Sequence, residues 1–564
     1  MIAETFQPKK KIPIFKKKPF IVGGISAVAA ITGILVGINL YINISQSEVV
    51  LVFGVQENPN FIDPLGAYSE TDVDFINQVA EGLFDYNYSS ELFEPIPNLA
   101  KNSSWNSNAT ELTCYLRENV LFHDGTKFDA TAVKWNFDRI YRLINRIDFA
   151  ASHLWLSPDG RPIINRTQLI NDYTVRFILN APYVPFKALL SSWTSYILSP
   201  DSTPADDFIN LLSGKLVGTG PFIYDIYEYP QKLSISANPF YWDGKPKIDK
   251  LIFLMRESKL ERIEALLSGE IHISKVKEIF FNETTLESVR NNSNFTVQEG
   301  LLEAKLNFLI MNNKLINTTM RKAISYAFNY SYWMKLLNGV RANSPLPEVM
   351  FYYNTTGFKV PYCNISIARQ TLKDTGWPGT SSLTINNNIS AGNEWEKLVD
   401  DGKSLATYNF SYISFAWWKV LYEPLAENLK QIGVKLENVS MSMGQWLDIM
   451  DDHRNMLGLT YSGWMADFND PSNFINPHFT SKGPAENCGQ VNDSITQKWM
   501  EEALGELNET GREHIYYKIQ KRLIEEVYPH VWLWILTRTD IYTSNLRGWN
   551  PNPYKLVFKS VYFV

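Results

Sequence analysis

Hydrophobic and polar positions along this chain switch repeatedly between a period of two or a solid apolar block and a period near 3.6. Val49 to Phe53 (VVLVF) is an apolar block of strand length, and Asp63-Pro64 marks the loop that follows. From Thr71 to Leu83 the apolar positions are Val73, Ile76, Val79, Ala80 and Leu83, the spacing of one helix face. Strand patterns return at Cys114 to Phe122, Thr174 to Leu179 (TVRFIL) and Lys250 to Leu254 (KLIFL). Arg321 to Asn338 carries Ala323, Ile324, Ala327, Trp333 and Leu337 at helical spacing. Pro424 to Ile432 predicts another helix, closed by Gly433 and followed by the strand Val434 to Leu436. Strand and helix patterns alternate to the end, which predicts α/β layers rather than a bundle or a sandwich. No period of a few tens of residues recurs, which argues against a solenoid or propeller.

At 564 residues the chain is too long for one core, so at least two lobes are expected. Hydrophobic content of 45% and charge of 20% are those of a folded protein. A net charge of -6 argues against a nucleic-acid partner, because phosphate binding needs a basic surface. The basic cluster is Lys9, Lys10, Lys11, Lys16, Lys17 and Lys18, and an uncharged run from Phe20 to Tyr41 follows it. As a helix those about 22 residues reach roughly 33 Å, enough to cross a bilayer core. The positive-inside bias makes 1–19 a cytoplasmic tail, 20–44 a transmembrane anchor, and everything after Asn43 extracytoplasmic. A cleaved signal peptide is the competing reading, since Ala27, Ala29 and Ala30 resemble a cleavage site, but the apolar run continues past them. No Cys follows the segment closely, which disfavours a bacterial-type lipid anchor.

An outside location changes the reading of the asparagines. Asn-x-Ser/Thr sequons number about seventeen, including Asn87, Asn102, Asn165, Asn282, Asn354, Asn438 and Asn508, and predict a glycosylated surface. Cys114, Cys363 and Cys488 are far apart, match no metal spacing and allow at most one intramolecular disulfide.

Catalytic signatures are scarce. His123-Asp124-Gly125 invites an acid/base reading, but Asp-Gly after a strand is a turn signal, and adjacent residues on extended chain point to opposite sides. Gly218-Thr219-Gly220-Pro221 shares only its glycines with a phosphate loop and lacks the lysine. There is no Gly-x-Ser-x-Gly elbow and no His-Glu-x-x-His among only seven histidines. Paired carboxylates such as Asp451 and Asp452 are expected on solvated surface. These observations predict a protein that is not an enzyme and uses no cofactor or metal.

In order, the chain carries Ile62-Asp63-Pro64, Glu81-Gly82-Leu83, Pro97-Asn98-Leu99-Ala100, the stretch from Leu116 through His123-Asp124-Gly125-Thr126-Lys127-Phe128, Gly218-Thr219-Gly220-Pro221-Phe222, Asn238-Pro239-Phe240-Tyr241-Trp242, Leu266-Leu267-Ser268-Gly269-Glu270-Ile271, Met320-Arg321-Lys322-Ala323 and Gly463-Trp464-Met465-Ala466-Asp467. From about residue 49 to the end it thereby resembles the peptide/nickel-type (family 5) extracytoplasmic solute-binding proteins of ABC importers, above all the oligopeptide and dipeptide receptors. The resemblance implies a two-lobe, periplasmic-binding-protein-like α/β fold of type II. Lobe one would take 46–300 with an inserted subdomain at about 85–195, lobe two 301–529, and 530–564 would return to lobe one. It implies that Asp467 meets a peptide's α-ammonium, that Gly463 and Met465 lend a strand edge to its main chain, and that Trp464 and Trp446 wall its pockets. Tyr461 is the sixth ligand-facing position implied: it stands where some oligopeptide-binding relatives use an arginine against the ligand's carboxyl end, so recognition of that carboxylate is not expected here. The partners implied are a peptide and the separate permease and ATPase chains of an ABC importer; an oligosaccharide ligand, or a sensor acting through a membrane partner, are the alternatives.

Overall fold

Val50–Val55 is apolar on both faces, and the strand it forms is sandwiched between two parallel neighbours, Lys250–Met255 and Ile273–Lys277. Parallel pairing demands long crossovers, so both faces of such a strand are covered and a solid apolar block is what it needs. The computed structural model that shows this describes residues 48–564, apart from 68, 147–151, 158–159, 229–231, 278–282, 338, 415–416, 452–456, 481–486 and 536. The anchor expected at 20–44 lies outside the described residues, and among these no helix is long and apolar enough to cross a membrane.

Three larger sheets organise the chain. A seven-stranded sheet runs Phe295–Leu302, Thr537–Thr543, Ile273–Lys277, Val50–Val55, Lys250–Met255, Lys232–Ala237, Phe222–Glu228. A six-stranded sheet runs Val340–Arg341, His530–Ile535, Lys305–Met311, Leu459–Met465, Ala406–Ile413, Val434–Met441. A four-stranded antiparallel sheet, Ala100–Trp105, Glu111–Leu116, Thr174–Leu179, Ile164–Asn171, has its own core around Phe128, Val133, Phe137, Trp155 and Phe177. The mixed sheets make this the two-lobe α/β fold expected.

The chain passes between the two large sheets twice. Phe295–Leu302 runs into Lys305–Met311 through Glu303 and Ala304, and His530–Ile535 runs into Thr537–Thr543 across residue 536. Beside these crossings Arg538 lies 3.0 Å from Asp540 and 3.8 Å from Glu303, all three side chains buried, and Trp549 Nε1 donates to Asp540. Removing charges from water is costly unless they are paired, so this cluster fixes the separation of the crossing strands.

Element boundaries moved where tertiary contacts intervened. The helix expected over 71–83 is Glu70–Val79, capped by Ser69 with Asp72 in a reciprocal capping box, and it stops because Ala80 turns extended. The helix expected over 321–338 is two helices, Thr318–Ala327 and Tyr330–Leu337. Between them Phe328 is extended and stacks on Trp333, so burying both rings breaks a run that periodicity alone joins. The strand pattern expected from Cys114 ends at Leu116, and Asn119 beyond it takes a positive φ of 62°.

The motifs that carried the family resemblance converge in space. Glu81, 8% exposed, accepts hydrogen bonds from Thr219 Oγ1 (2.8 Å), Tyr241 OH (2.7 Å) and Trp242 Nε1 (3.0 Å). Arg117 stacks over the Trp242 ring at 4.2 Å, and its Nε donates to Asn98 O. The glycines of Gly218-Thr219-Gly220 serve close approach: a Cβ on Gly220 would stand 2.6 Å from the Val79 backbone carbon, and one on Gly218 2.4 Å from Val79 O. Burial pushes the Glu81 carboxyl up, against the donated hydrogen bonds that pull it down. Glu81→Ala is expected to strand three buried donors and to cost about 3–5 kcal/mol, measured by denaturant unfolding, whereas Glu81→Gln, which keeps an acceptor, costs markedly less.

Candidate functional site

Leu459–Met465 is the strand on which the predicted ligand residues stand. Along one side it pairs over its whole length with Lys305–Met311, from Met311↔Leu459 to Lys305↔Met465. On the other side it meets Ala406–Ile413 only at Phe410↔Leu459 and Ser411↔Thr460. From Tyr461 to Met465, therefore, no strand among the described residues pairs with that edge, and its backbone groups are of the kind that extended chain completes. Gly463, exposed, admits no side chain, because a Cβ there would come within 2.8 Å of Asn307 Oδ1.

Five of the six predicted contacts share this strand and the turn after it. Asp467 is half-buried, and Asn473 holds it twice: Asn473 Oδ1 accepts from the Asp467 N–H at 2.9 Å, and Asn473 Nδ2 donates to Asp467 Oδ2 at 2.8 Å. Trp464, half-buried, meets His153 edge-on at 5.7 Å and His478 at 5.0 Å. Met465 is half-buried too. Tyr461 differs. It is 3% exposed, its ring stacks on Trp534 at 5.7 Å and its hydroxyl donates to Asn307 Oδ1, so its side chain belongs to the core of the six-stranded sheet. Trp446 stands on a separate element, the helix Met443–Asp451, and is half-buried.

The turn that follows contains residues sequence reasoning passed over. Phe468 packs into the core of the four-stranded sheet. Asn469 is buried, and Asp470 forms a buried bidentate pair with Arg512, at 2.6 and 2.9 Å. Asn469-Asp470-Pro471 reads as an ordinary turn, and nothing local tells that its side chains meet segments hundreds of residues away.

Comparison with known proteins places this geometry. The model of the bacterial extracellular solute-binding proteins, family 5 Middle, matches residues 94–486. The chain belongs to that family. It is 24% identical over 524 residues to the "Probable D,D-dipeptide-binding periplasmic protein DdpA" of Escherichia coli (strain K12), covering 89% of this chain and 92% of the relative. To the "Di/tripeptide-binding protein 2" of Pseudomonas aeruginosa (strain UCBPP-PA14) it is 26% identical, over 81% of this chain and 84% of the relative. Its fold is that of the DppA binding protein from Helicobacter pylori solved with the peptide STSA: TM-score 0.72 at 22% identity, covering 92% of this chain and 99% of that one.

In this family 5 protein the His123-Asp124 pair is divided between partners. His123 Nε2 donates to Gly220 O at 3.0 Å, while Nδ1 is buried without a hydrogen-bond partner among the described residues. Asp124 accepts from Ser199, Ser202 and both donors of Thr126. Burial raises the Asp124 carboxyl, but these hydrogen bonds outweigh it and hold it at about 2. Burial pushes His123 down to about 4, against the Gly220 hydrogen bond that raises it. The folded state thus binds a proton less readily than the unfolded chain. The contribution of His123 to stability is full above its ordinary value of 6.5 and is lost as pH falls toward about 4. Unfolding midpoints followed from pH 7 to 4 should show this loss in the wild type and a shallower slope in His123→Gln.

Proposed function

We propose that this solute-binding protein captures peptides outside the cytoplasm and delivers them to the permease and ATPase of an ABC importer. The open backbone edge of Tyr461 to Met465, with a carboxylate held just beyond it at Asp467, carries the reading. Main-chain pairing grips any extended peptide without selecting its side chains. A peptide drawn into a cleft brings its α-ammonium out of water, and the Asp467 carboxylate, oriented by Asn473, offsets that cost. Trp464 and Trp446 would line the side-chain pockets, with Gly463 and Met465 giving backbone contacts; Tyr461 would contribute through its backbone alone. The peptide-binding relatives are consistent with this ligand class. It is a receptor function that includes no reaction step.

The same reading keeps 20–44 as a membrane anchor, with lobes at 46–300 and from 301 onward and an insert at about 85–195; the return expected at 530 moves to Thr537, because His530–Ile535 pairs within the six-stranded sheet. It also takes the sequons as glycosylated: Asn102, Asn165, Asn438 and Asn508 are exposed, Asn87 and Asn354 are half-buried, and Asn282 lies outside the described residues.

Two measurements test the proposal. Asp467→Asn keeps the size of the side chain and removes its charge, so peptide affinity should fall by about 2–5 kcal/mol, or roughly 30-fold to several-thousand-fold, in a calorimetric titration. Acetylating the peptide's N-terminus should weaken wild-type binding similarly yet harm the variant far less, because both changes remove one interaction. Undiminished binding by Asp467→Asn would shift the reading to a neutral ligand such as an oligosaccharide. For topology, protease added to intact cells is expected to digest the large C-terminal part and spare the lysine-rich tail; protection of the large part would reverse the orientation.

A further inference from the structure

We infer that Asn469 is the latch of lobe closure: its side chain hydrogen-bonds the ligand-bearing turn to the opposite lobe, so that peptide held at Asp467 and closure of the cleft stabilise each other. The inference rests on the peptide-capture reading for its ligand and on geometry for its mechanism. Asn469 is 1% exposed, and its side-chain amide and backbone N–H are all hydrogen-bonded. Its Nδ2 donates to Leu92 O at 2.6 Å and to Phe93 O at 3.2 Å. Its Oδ1 accepts from Tyr554 OH at 2.7 Å, and its backbone N–H donates to Tyr86 OH at 3.3 Å. Two carbonyls on one side force the amide nitrogen toward them, which leaves the oxygen for a hydroxyl and fixes the orientation of the amide.

Tyr86, Leu92 and Phe93 belong to the other side of the cleft, whereas Tyr554 straddles the boundary, packing on the core of the six-stranded sheet's lobe with its hydroxyl also 3.1 Å from Val349 O. Tyr86 ends the strand Phe84–Tyr86, Leu92 and Phe93 lie in the loop joining it to Pro95–Pro97, and Phe93 holds a positive φ of 49°. Tyr554 meets Tyr86 at a tilt at 5.2 Å and Phe93 edge-on at 5.6 Å, so the receiving surface is an aromatic cluster with the Leu92 and Phe93 carbonyls turned toward Asn469. The donating side is equally stiff. Asn473 holds Asp467, and Arg512 holds Asp470, so Asn469 sits on a short turn secured at both ends. A displacement of Asp467 toward a ligand therefore carries Asn469 with it. Opening of the lobes breaks the bonds of Asn469 together and leaves a buried amide to be rehydrated. Other contacts cross the same boundary, among them Val184 N–H to Leu504 O at 2.8 Å and Phe468 in the core of the four-stranded sheet. They close the interface, and Asn469 joins it to the turn of Asp467 through directional bonds.

The test uses the full chain in detergent and trialanine as probe. In Asn469→Ala the dissociation rate of trialanine should rise about 10- to 100-fold, from the loss of two or three hydrogen bonds, with the association rate changed by less than about 3-fold. Tyr554→Phe removes one of those bonds, together with the bond to Val349 O, and should raise the dissociation rate less; the two substitutions combined should act less than additively, because the bond between the two side chains is lost in either one. Inter-lobe distance provides a readout that a merely structural role would not move. Spin labels at Ser107→Cys and Lys403→Cys, both exposed, in a Cys363→Ser background, should report longer distances in Asn469→Ala than in the parent without peptide. Unchanged distances, or additive effects of the two substitutions, overturn the latch. If trialanine fails to bind the parent while Asn469→Ala still lengthens the distances, the latch stands and the peptide reading falls.

Discussion

A buried carboxylate on an irregular segment dictates much of this architecture. Glu81 follows directly on the helix Glu70–Val79 and is out of water with no cation bonded to it, so its oxygens must find neutral donors. Those donors come from Thr219, Tyr241 and Trp242, on two segments well over a hundred residues away. Each donor is itself buried or half-buried, so loss of any one leaves an unsatisfied group on both sides. The constraint brings the loop before Phe222–Glu228 against the end of the first helix, where only glycine fits the approach of one backbone to another. It also sets the place where the chain leaves the seven-stranded sheet for the four-stranded one, and hence the position of the receiving surface at Tyr86 and Phe93.

The second lobe is positioned from that fixed point by two crossings and their charges. Arg538, Asp540 and Glu303 are buried beside the crossings, and Lys275 is paired nearby with Asp74 on the first helix at 2.6 Å. A neutral core would let the crossing strands slide, whereas charge pairs in low dielectric tolerate little change of distance. Two crossings beside one another give a hinge. The six-stranded sheet then presents Leu459–Met465 with one edge open from Tyr461 to Met465.

Recognition and closure have different physical bases here. In the proposed function the open edge would supply hydrogen bonds common to all peptides, which accounts for capture without accounting for preference. On the same proposal, charge at Asp467 would give polarity, telling one end of an extended ligand from the other. The aromatic pair Trp464 and His153 joins the ligand strand to the insert that lies across from it. Side-chain preference would then belong to the walls of the cleft, and a change of wall residues would leave the proposed grip on the main chain in place.

Much of the fold was legible in the chain because it depends on local periodicity. Thr174–Leu179 was read to the residue, Val50–Val55, Lys250–Met255 and the helix Tyr422–Lys430 within two residues at each end, and the α/β class and family followed from alternation and motif order. The turn reading of His123-Asp124 also needed only local chemistry, and the structure gives the two side chains separate partners. What remained illegible lies in long-range pairing. Tyr461 looked like a site position by its place in the motif, yet the register of Leu459–Met465 turns its ring onto Trp534, and a strand's faces are assigned by its neighbours, not by its own residues. Glu81 and Asn469 are ordinary polar residues in sequence. They acquire their roles because tertiary folding buries them, and a buried polar group must take its partners from whatever distant segments the topology brings within hydrogen-bond reach.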